Sequence, residues 1–188
     1  MSDPFFFGYG SLVNRATHIY GAARRARVRG WRRTWRYTGF RDGPFLTAVP
    51  CPASEIAGLV AQVPGGDWRA LDTREIGYAR QPLGPELSIE GALIATTQIY
   101  AVPLADAIDP PQKQPILLSY LDVVVQGYLR EFGADGVAQF FTTTDGWDAP
   151  VVDDRAAPLY PRHQSLSAAE RALVDHHLRD LGITPISQ

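Results

Sequence analysis

The chain opens on a short apolar run, Phe5 to Tyr9, held between Pro4 and Gly10, which is the pattern of a buried strand ending in a tight turn. Segments with β-branched or aromatic residues continue to Pro64 and predict strands over Ala26 to Tyr37, Phe45 to Pro50 and Glu55 to Val63. Asp42, Gly43 and Pro52 separate them as turn residues. At Asp67 the period lengthens. A helix is predicted from Asp67, a candidate N-cap after Gly65 and Gly66, to Ile76, with Gly77 as its stop. Further strands are expected at Tyr78 to Pro82, Ser88 to Ala92 and Ala95 to Val102. A long helix over Pro115 to Phe132 and a last one over Ser167 to Leu181, ended by Gly182 and Pro185, complete the pattern. Between them, Gly136 to Gln164 is rich in Pro, Asp and aromatics and reads as an irregular wrap. Strands ahead of helices predict one α+β domain over residues 1–188. It consists of a small mixed, barrel-like sheet (core about 5–102) flanked by helices, with a helical and irregular C-terminal extension from about 115.

With 188 residues, 45% of them hydrophobic, the chain has one domain's worth of length and buries one sizeable core. No apolar run approaches the roughly 20 residues of a membrane span, and Asp3 and Pro4 interrupt the start as a signal peptide would not. A soluble, cytoplasmic protein with no membrane partner is expected. The single cysteine, Cys51, excludes an internal disulfide and a multi-cysteine zinc site. His176 and His177 invite a metal reading, but neighbours on a helix point about 100° apart and share one ion poorly.

Net charge is −2 but unevenly spread: residues 1–54 carry nine Arg against Asp3 and Asp42, whereas the rest carries eight Arg and one Lys against eighteen acids. A basic half can mark a nucleic-acid surface. Here Arg24, Arg25, Arg27, Arg29, Arg32, Arg33 and Arg36 interleave with Val28, Trp31 and Trp35, the pattern of a polar sheet face, so nucleic acid stands as a minor alternative.

Two segments carry candidate chemistry. In Phe7-Gly8-Tyr9-Gly10-Ser11-Leu12 a strand runs into a glycine turn whose backbone N–H groups converge on one point, as an oxyanion pocket requires. A turn needed only for its geometry is the bland alternative. A dinucleotide fingerprint would need glycine where Val13 stands, a phosphate loop would need Gly-Lys-Ser/Thr, and Ser11 is not in a G-x-S-x-G elbow. The second segment runs from Asp67 to Tyr78. On a helix, Trp68, Leu71, Asp72, Glu75 and Ile76 share one stripe, so Glu75 sits among residues that face the core. Such a carboxylate either pairs with an arginine such as Arg80 or, desolvated, has its pKa raised toward neutrality, where it can shuttle protons.

Together FGYGSL and LDTREIGYAR, in this order and with strands between, resemble the γ-glutamylcyclotransferase family, which also contains the ChaC-like glutathione-degrading proteins. The resemblance covers roughly Phe5 to Val102 and implies a small mixed β-barrel flanked by helices. It further implies that Tyr9, Gly10, Ser11 and Leu12 grip a γ-glutamyl group and that Glu75 is the acid/base. Cyclising a γ-glutamyl amide to 5-oxoproline is an attack by the substrate's own α-amine on its own γ-carbonyl. It needs a base, an acid and oxyanion donors, but no metal, cofactor or protein nucleophile. The cluster Asp153, Asp154, Arg155, Tyr160 and Arg162 is either a salt-bridged wrap or a lid whose Tyr160 and Arg162 reach the substrate carboxylate. His18, near the Ser11 loop, reads as structural, and Cys51 as a small packed residue. The rival function is a non-catalytic small-molecule-binding module on the same fold.

Overall fold

The computed structural model describes residues 3–91 and 96–188. In chain order it comprises β1 (Phe5–Gly8), β2 (Arg24–Thr38), β3 (Arg41–Gln62), α1 (Arg69–Arg74), β4 (Ala79–Leu83), β5 (Leu87–Ile89) and β6 (Thr97–Ala101). These are followed by β7 (Ala107–Ile108), β8 (Ile116–Leu117), α2 (Leu118–Thr142), β9 (Thr144–Asp145), β10 (Val151–Asp153), α3 (Ala168–Asp180) and β11 (Ile186–Ser187). The main sheet is curled into a half-barrel with strand order β4-β6-β1-β3-β2-β5, and β7 and β9 also pair with β2. It is mixed, because β1 pairs parallel with β6 and antiparallel with β3. A smaller parallel sheet, β11-β10-β8, ties the C-terminal segment together.

The long β2–β3 hairpin is the frame, and its decisive local feature is at Gly30. Before it Ala26 and Val28 point into the core; after it the inward positions are Trp31, Arg33, Trp35 and Tyr37. The register jumps there from Arg29↔Glu55 to Trp31↔Pro50, so four residues of β3, from Cys51 to Ser54, stand opposite Gly30 alone. Gly30 has φ +78°, which a side chain would strain, and the bulge it forms shifts the strand's two-residue alternation by one. Arg33 is thereby turned inward. Its neighbours on the other face pair with carboxylates: Arg32 with Asp145 at 2.6 Å, Arg27 with Glu55 at 3.4 Å and Arg25 with Glu131 at 3.9 Å.

Side chains of β1 alternate between two clusters: Phe7 packs with Val28, Ile56 and Ile99, and Phe6 packs with Leu71 and Tyr100. The largest cluster lies between β2–β3 and α2, where Trp35, Leu46 and Leu59 meet Leu121, Val124 and Tyr128.

Several expected boundaries differ. The strands expected at 45–50 and 55–63 are one strand by continuity, interrupted in pairing at the expected Pro52. The short helix begins at Arg69 and ends at Arg74, not over 67–76, because Pro64–Gly66 forms a separate 3₁₀ turn and Asp67 caps only Arg69 N, at 3.2 Å. The expected apolar stripe fails at Ile76, which is 74% exposed beyond the helix end. The helix expected to stop at Phe132 continues to Thr142, taking residues 136–142 out of the expected wrap. Gly133 absorbs a kink at φ 69°, ψ −169°, and burial of Val137, Phe140 and Phe141 on one face outweighs the two glycines. The last helix closely matches expectation, with a capping box between Ser167 and Glu170 and Gly182 following it at positive φ. Ala92 and Ala95, at two expected strand ends, lie outside the described residues. Among the described residues no helix is long and apolar enough to cross a membrane.

Candidate active site

The glycine turn begins where β1 leaves the centre of the sheet. The Tyr9 side chain is buried, its hydroxyl donating to Tyr100 O at 2.5 Å and accepting from Ala48 N at 3.1 Å. Burial pushes that phenol above its ordinary value, so it stays protonated. The Tyr9 carbonyl accepts from Arg33 Nε at 3.2 Å and from Tyr128 Oη at 2.9 Å. Arg33 also donates to Ala57 O and Tyr128 Oη, both at 2.6 Å, and to Thr143 Oγ1 at 2.6 Å. Its guanidinium lies over the rings of Tyr128 and Phe140 at 5.0 and 5.2 Å, and among the described residues no carboxylate pairs with it. A buried cation spending its fork on neutral acceptors fixes the backbone before Gly10.

Residues Ser11–Val13 form a 3₁₀ turn, closed by Val13 N donating to Gly10 O at 3.0 Å. Among the described residues no acceptor is seen for the N–H groups of Gly10, Ser11 and Leu12, the donors left open where such a turn starts. Gly10 lies at φ −119°, so its role is space and not the left-handed region: a Cβ there would stand 2.8 Å from Tyr120 Oη and 3.4 Å from Leu46 Cδ2. The turn is anchored to α2 by Asn14, whose Nδ2 donates to Val123 O and Gln126 Oε1, each at 3.0 Å. His18 holds Leu12 O at 3.1 Å; burial lowers its pKa to about 4, and the neutral ring serves as a strut.

Glu75 caps the C-terminal end of α1, its N–H still bonded to Leu71 O at 2.9 Å, and Gly77 at φ +90° then reverses the chain. Its carboxylate is 3.1 Å from Arg74 Nε, with the two side chains only 15% and 9% exposed. The ion pair considered with Arg80 is instead made by Asp72, at 3.0 Å. Arg74 also reaches Ser11 Oγ at 3.2 Å and Thr17 O at 2.7 Å, so one guanidinium links the two motifs directly. Burial raises the Glu75 pKa, opposed by the positive charges of Arg74, Arg162 and Arg41.

Glu75 and Tyr9 to Leu12 line one inner cavity of about 30 Å³, together with Leu46 and the tyrosines Tyr78, Tyr100 and Tyr120. That is room for about two waters, the scale of a carbonyl oxygen and its attacking group. It adjoins a mouth of about 330 Å³ that shares Ser11, Glu75, Tyr78 and Tyr120 and adds Arg41, Tyr160 and Arg162. Every residue singled out from the sequence as a site residue therefore lines one of these two spaces. Tyr160 and Arg162 are carried there on a pinned segment. Asp154, fully buried, accepts from Ser119 N, Ser119 Oγ and Leu159 N, while Arg155 forks onto Asp122 at 2.7 and 2.8 Å. The salt-bridged wrap and one wall of the mouth are thus parts of one segment. Tyr78, Tyr100 and Tyr120 escaped the sequence reading. Tyr120 packs edge-on against Tyr160 at 5.0 Å, and burial raises the phenols of Tyr78 and Tyr120 well above their ordinary value.

No family model matches the sequence, and no curated protein matches it significantly. Among solved structures, a gamma-glutamyl cyclotransferase superposes with a TM-score of 0.60 over 94% of this chain and 99% of that one, at 14% identity. A human protein described only as uncharacterized gives 0.60 over 93% and 99%, also at 14%. YkqA from Bacillus subtilis gives 0.57 at 15% identity, over 78% of this chain and 57% of its own. The fold is that of γ-glutamyl cyclotransferases; at these identities the likeness is one of fold.

Proposed function

We propose that this protein cyclises a γ-glutamyl amide to 5-oxoproline and releases the amine. One observation carries the reading: Glu75, a mostly buried carboxylate, lines the same small cavity as Gly10, Ser11 and Leu12, whose N–H groups meet no acceptor among the described residues. In this reading the substrate's γ-carbonyl oxygen sits against the turn and its α-ammonium against Glu75. Glu75 takes a proton from the α-ammonium, and the freed amine attacks the γ-carbon, closing a five-membered ring. Oxygen gains negative charge, which the turn's donors stabilise. The C–N bond to the departing amine then breaks as Glu75 returns a proton to that nitrogen. Two of the three original ammonium protons finish on the released amine, carried by Glu75 one at a time, and the third remains on the lactam nitrogen. The raised pKa of Glu75 suits this work, because a shuttle is most effective when its pKa approaches the working pH.

Arg162, at the mouth, is the proposed clamp for the substrate's α-carboxylate: among the described residues no carboxylate pairs with it within ion-pair distance. The same rationale makes the substrate's free α-amine obligatory. Release of 5-oxoproline from a γ-glutamyl amide, and none from its N-acetylated counterpart, is the expected result. Binding of both without release would favour a non-catalytic binding module.

A further inference from the structure

Resting on the cyclisation reading, we infer that the enzyme selects γ-glutamyl amides whose departing amine carries a bulky apolar group. Beside the mouth runs a groove of about 510 Å³. It shares Arg41, Leu117, Tyr120 and Tyr160 with the mouth, so the two spaces have a common wall. The rest of its lining is mainly apolar, with Trp35, Pro115 and Ile116 on the walls and Leu159, 56% exposed, at the lip. The chemistry says which part of the substrate meets it. The γ-carbonyl and the atoms that join the new ring fill the inner cavity, which has space for little else. The amine leaves from the same carbonyl carbon and has to project through the mouth, past Tyr120 and Tyr160. A methylamine would stop there; a phenethyl group would continue into the groove and cover Leu159.

Arg41 adds little charge to this space, because its guanidinium is drawn back onto its own loop, and Asp42, Gln114, Ser187 and Gln188 are the polar minority of the lining. Nε donates to Gly43 O at 3.2 Å, Nη2 donates to Pro44 O at 2.5 Å, and the group lies 3.7 Å from the centre of the Phe45 ring. The groove is therefore matched to apolar surface more than to a second carboxylate.

The test compares γ-glutamyl phenethylamide with γ-glutamyl methylamide, reading 5-oxoproline release by the wild type and by Leu159→Asp. The expected wild-type preference in kcat/KM is at least about tenfold for the phenethylamide, the size that a few buried methylene equivalents supply. Leu159→Asp, at an exposed position, should melt near the wild type and narrow that preference. Equal turnover of the two amides by the wild type overturns this inference and leaves the role of Glu75 standing. An unchanged preference in Leu159→Asp overturns it too, whereas release from neither amide overturns the cyclisation reading and this inference with it.

Discussion

Replacing Glu75 by Gln separates proton transfer from shape. The amide has the same length and can still accept from Arg74 Nε, 3.1 Å away in the native pair, but it takes no proton from an ammonium. A positioned general base or acid contributes ~10²–10⁴ in rate, so kcat should fall by about that factor, or ~2.7–5.5 kcal/mol of barrier. KM should change far less than kcat, since the turn and Arg162 are untouched and the Gln carbonyl can still accept from the α-ammonium. Stability supplies a second, independent readout. Burial raises the folded-state pKa of Glu75 above that of the unfolded chain, against the pull of Arg74, Arg162 and Arg41. A carboxyl raised in this sense costs nothing below its unfolded pKa and costs stability as pH climbs through its folded pKa. Gln has no such dependence, and Arg74 keeps its bonds to Thr17 and Ser11. The melting temperature of Glu75→Gln minus that of the wild type should therefore rise from about pH 4 toward neutrality. Steady-state 5-oxoproline release and thermal melts across that range measure both. Wild-type turnover by a folded variant refutes the shuttle, and a melting difference that falls with rising pH refutes the burial argument.

Gly10→Val should lower kcat/KM by ~5- to 150-fold, the equivalent of the ~1–3 kcal/mol of overpacking against Tyr120 Oη, and a folded variant with unchanged kinetics would remove the turn from the binding site. Arg162→Ala should raise KM by ~10- to 100-fold while kcat changes little, because a charged hydrogen bond of ~1.5–3 kcal/mol to the α-carboxylate acts alike on ground and transition states; constants that both stay put would leave the segment a structural wrap. Arg33→Lys should cost ~2–3 kcal/mol and lower the melting temperature by ~5–10 °C, since an ammonium cannot reproduce the planar fork that spans Tyr9 O, Ala57 O, Tyr128 Oη and Thr143 Oγ1. A melt within a degree of wild type would show that the planar fork of Arg33 is dispensable.

What was legible in the sequence was local chemistry. The turn after β1 and the two ends of the last helix, at Ser167 and Gly182, each depend on a few adjacent residues, and each is present. Arg33 shows where such reading ends. It is one of seven arginines that look alike in sequence, and only the Gly30 bulge, with four residues of β3 looped opposite it, turns this one into the core. The change of phase is visible, since the apolar positions move from Ala26 and Val28 to Trp31, Trp35 and Tyr37, but the pairing that turns Arg33 inward on the new phase spans more than twenty residues. The tyrosines around Glu75 were hidden for a related reason. At Tyr78, Tyr100 and Tyr120 an aromatic reads as ordinary core, and their meeting around one cavity depends on how a strand edge and α2 are brought to the turn.

Glu75 was singled out on a helix that is shorter than expected. Its N–H still bonds to Leu71 O, so it completes one last turn above a fully buried leucine, and the i, i+4 relation that placed it on the inward side survives although the stripe beyond it does not. Arg74, read only as part of a motif, does the joining. By reaching Ser11, Thr17 and Glu75 from one guanidinium it ties the turn after β1 to the carboxylate proposed as proton shuttle, across 64 residues of sequence. The two halves of the proposed chemistry therefore cannot drift apart without breaking the hydrogen bonds of Arg74 to Ser11 and Thr17, and that constraint is what a reaction needing both at one carbonyl requires.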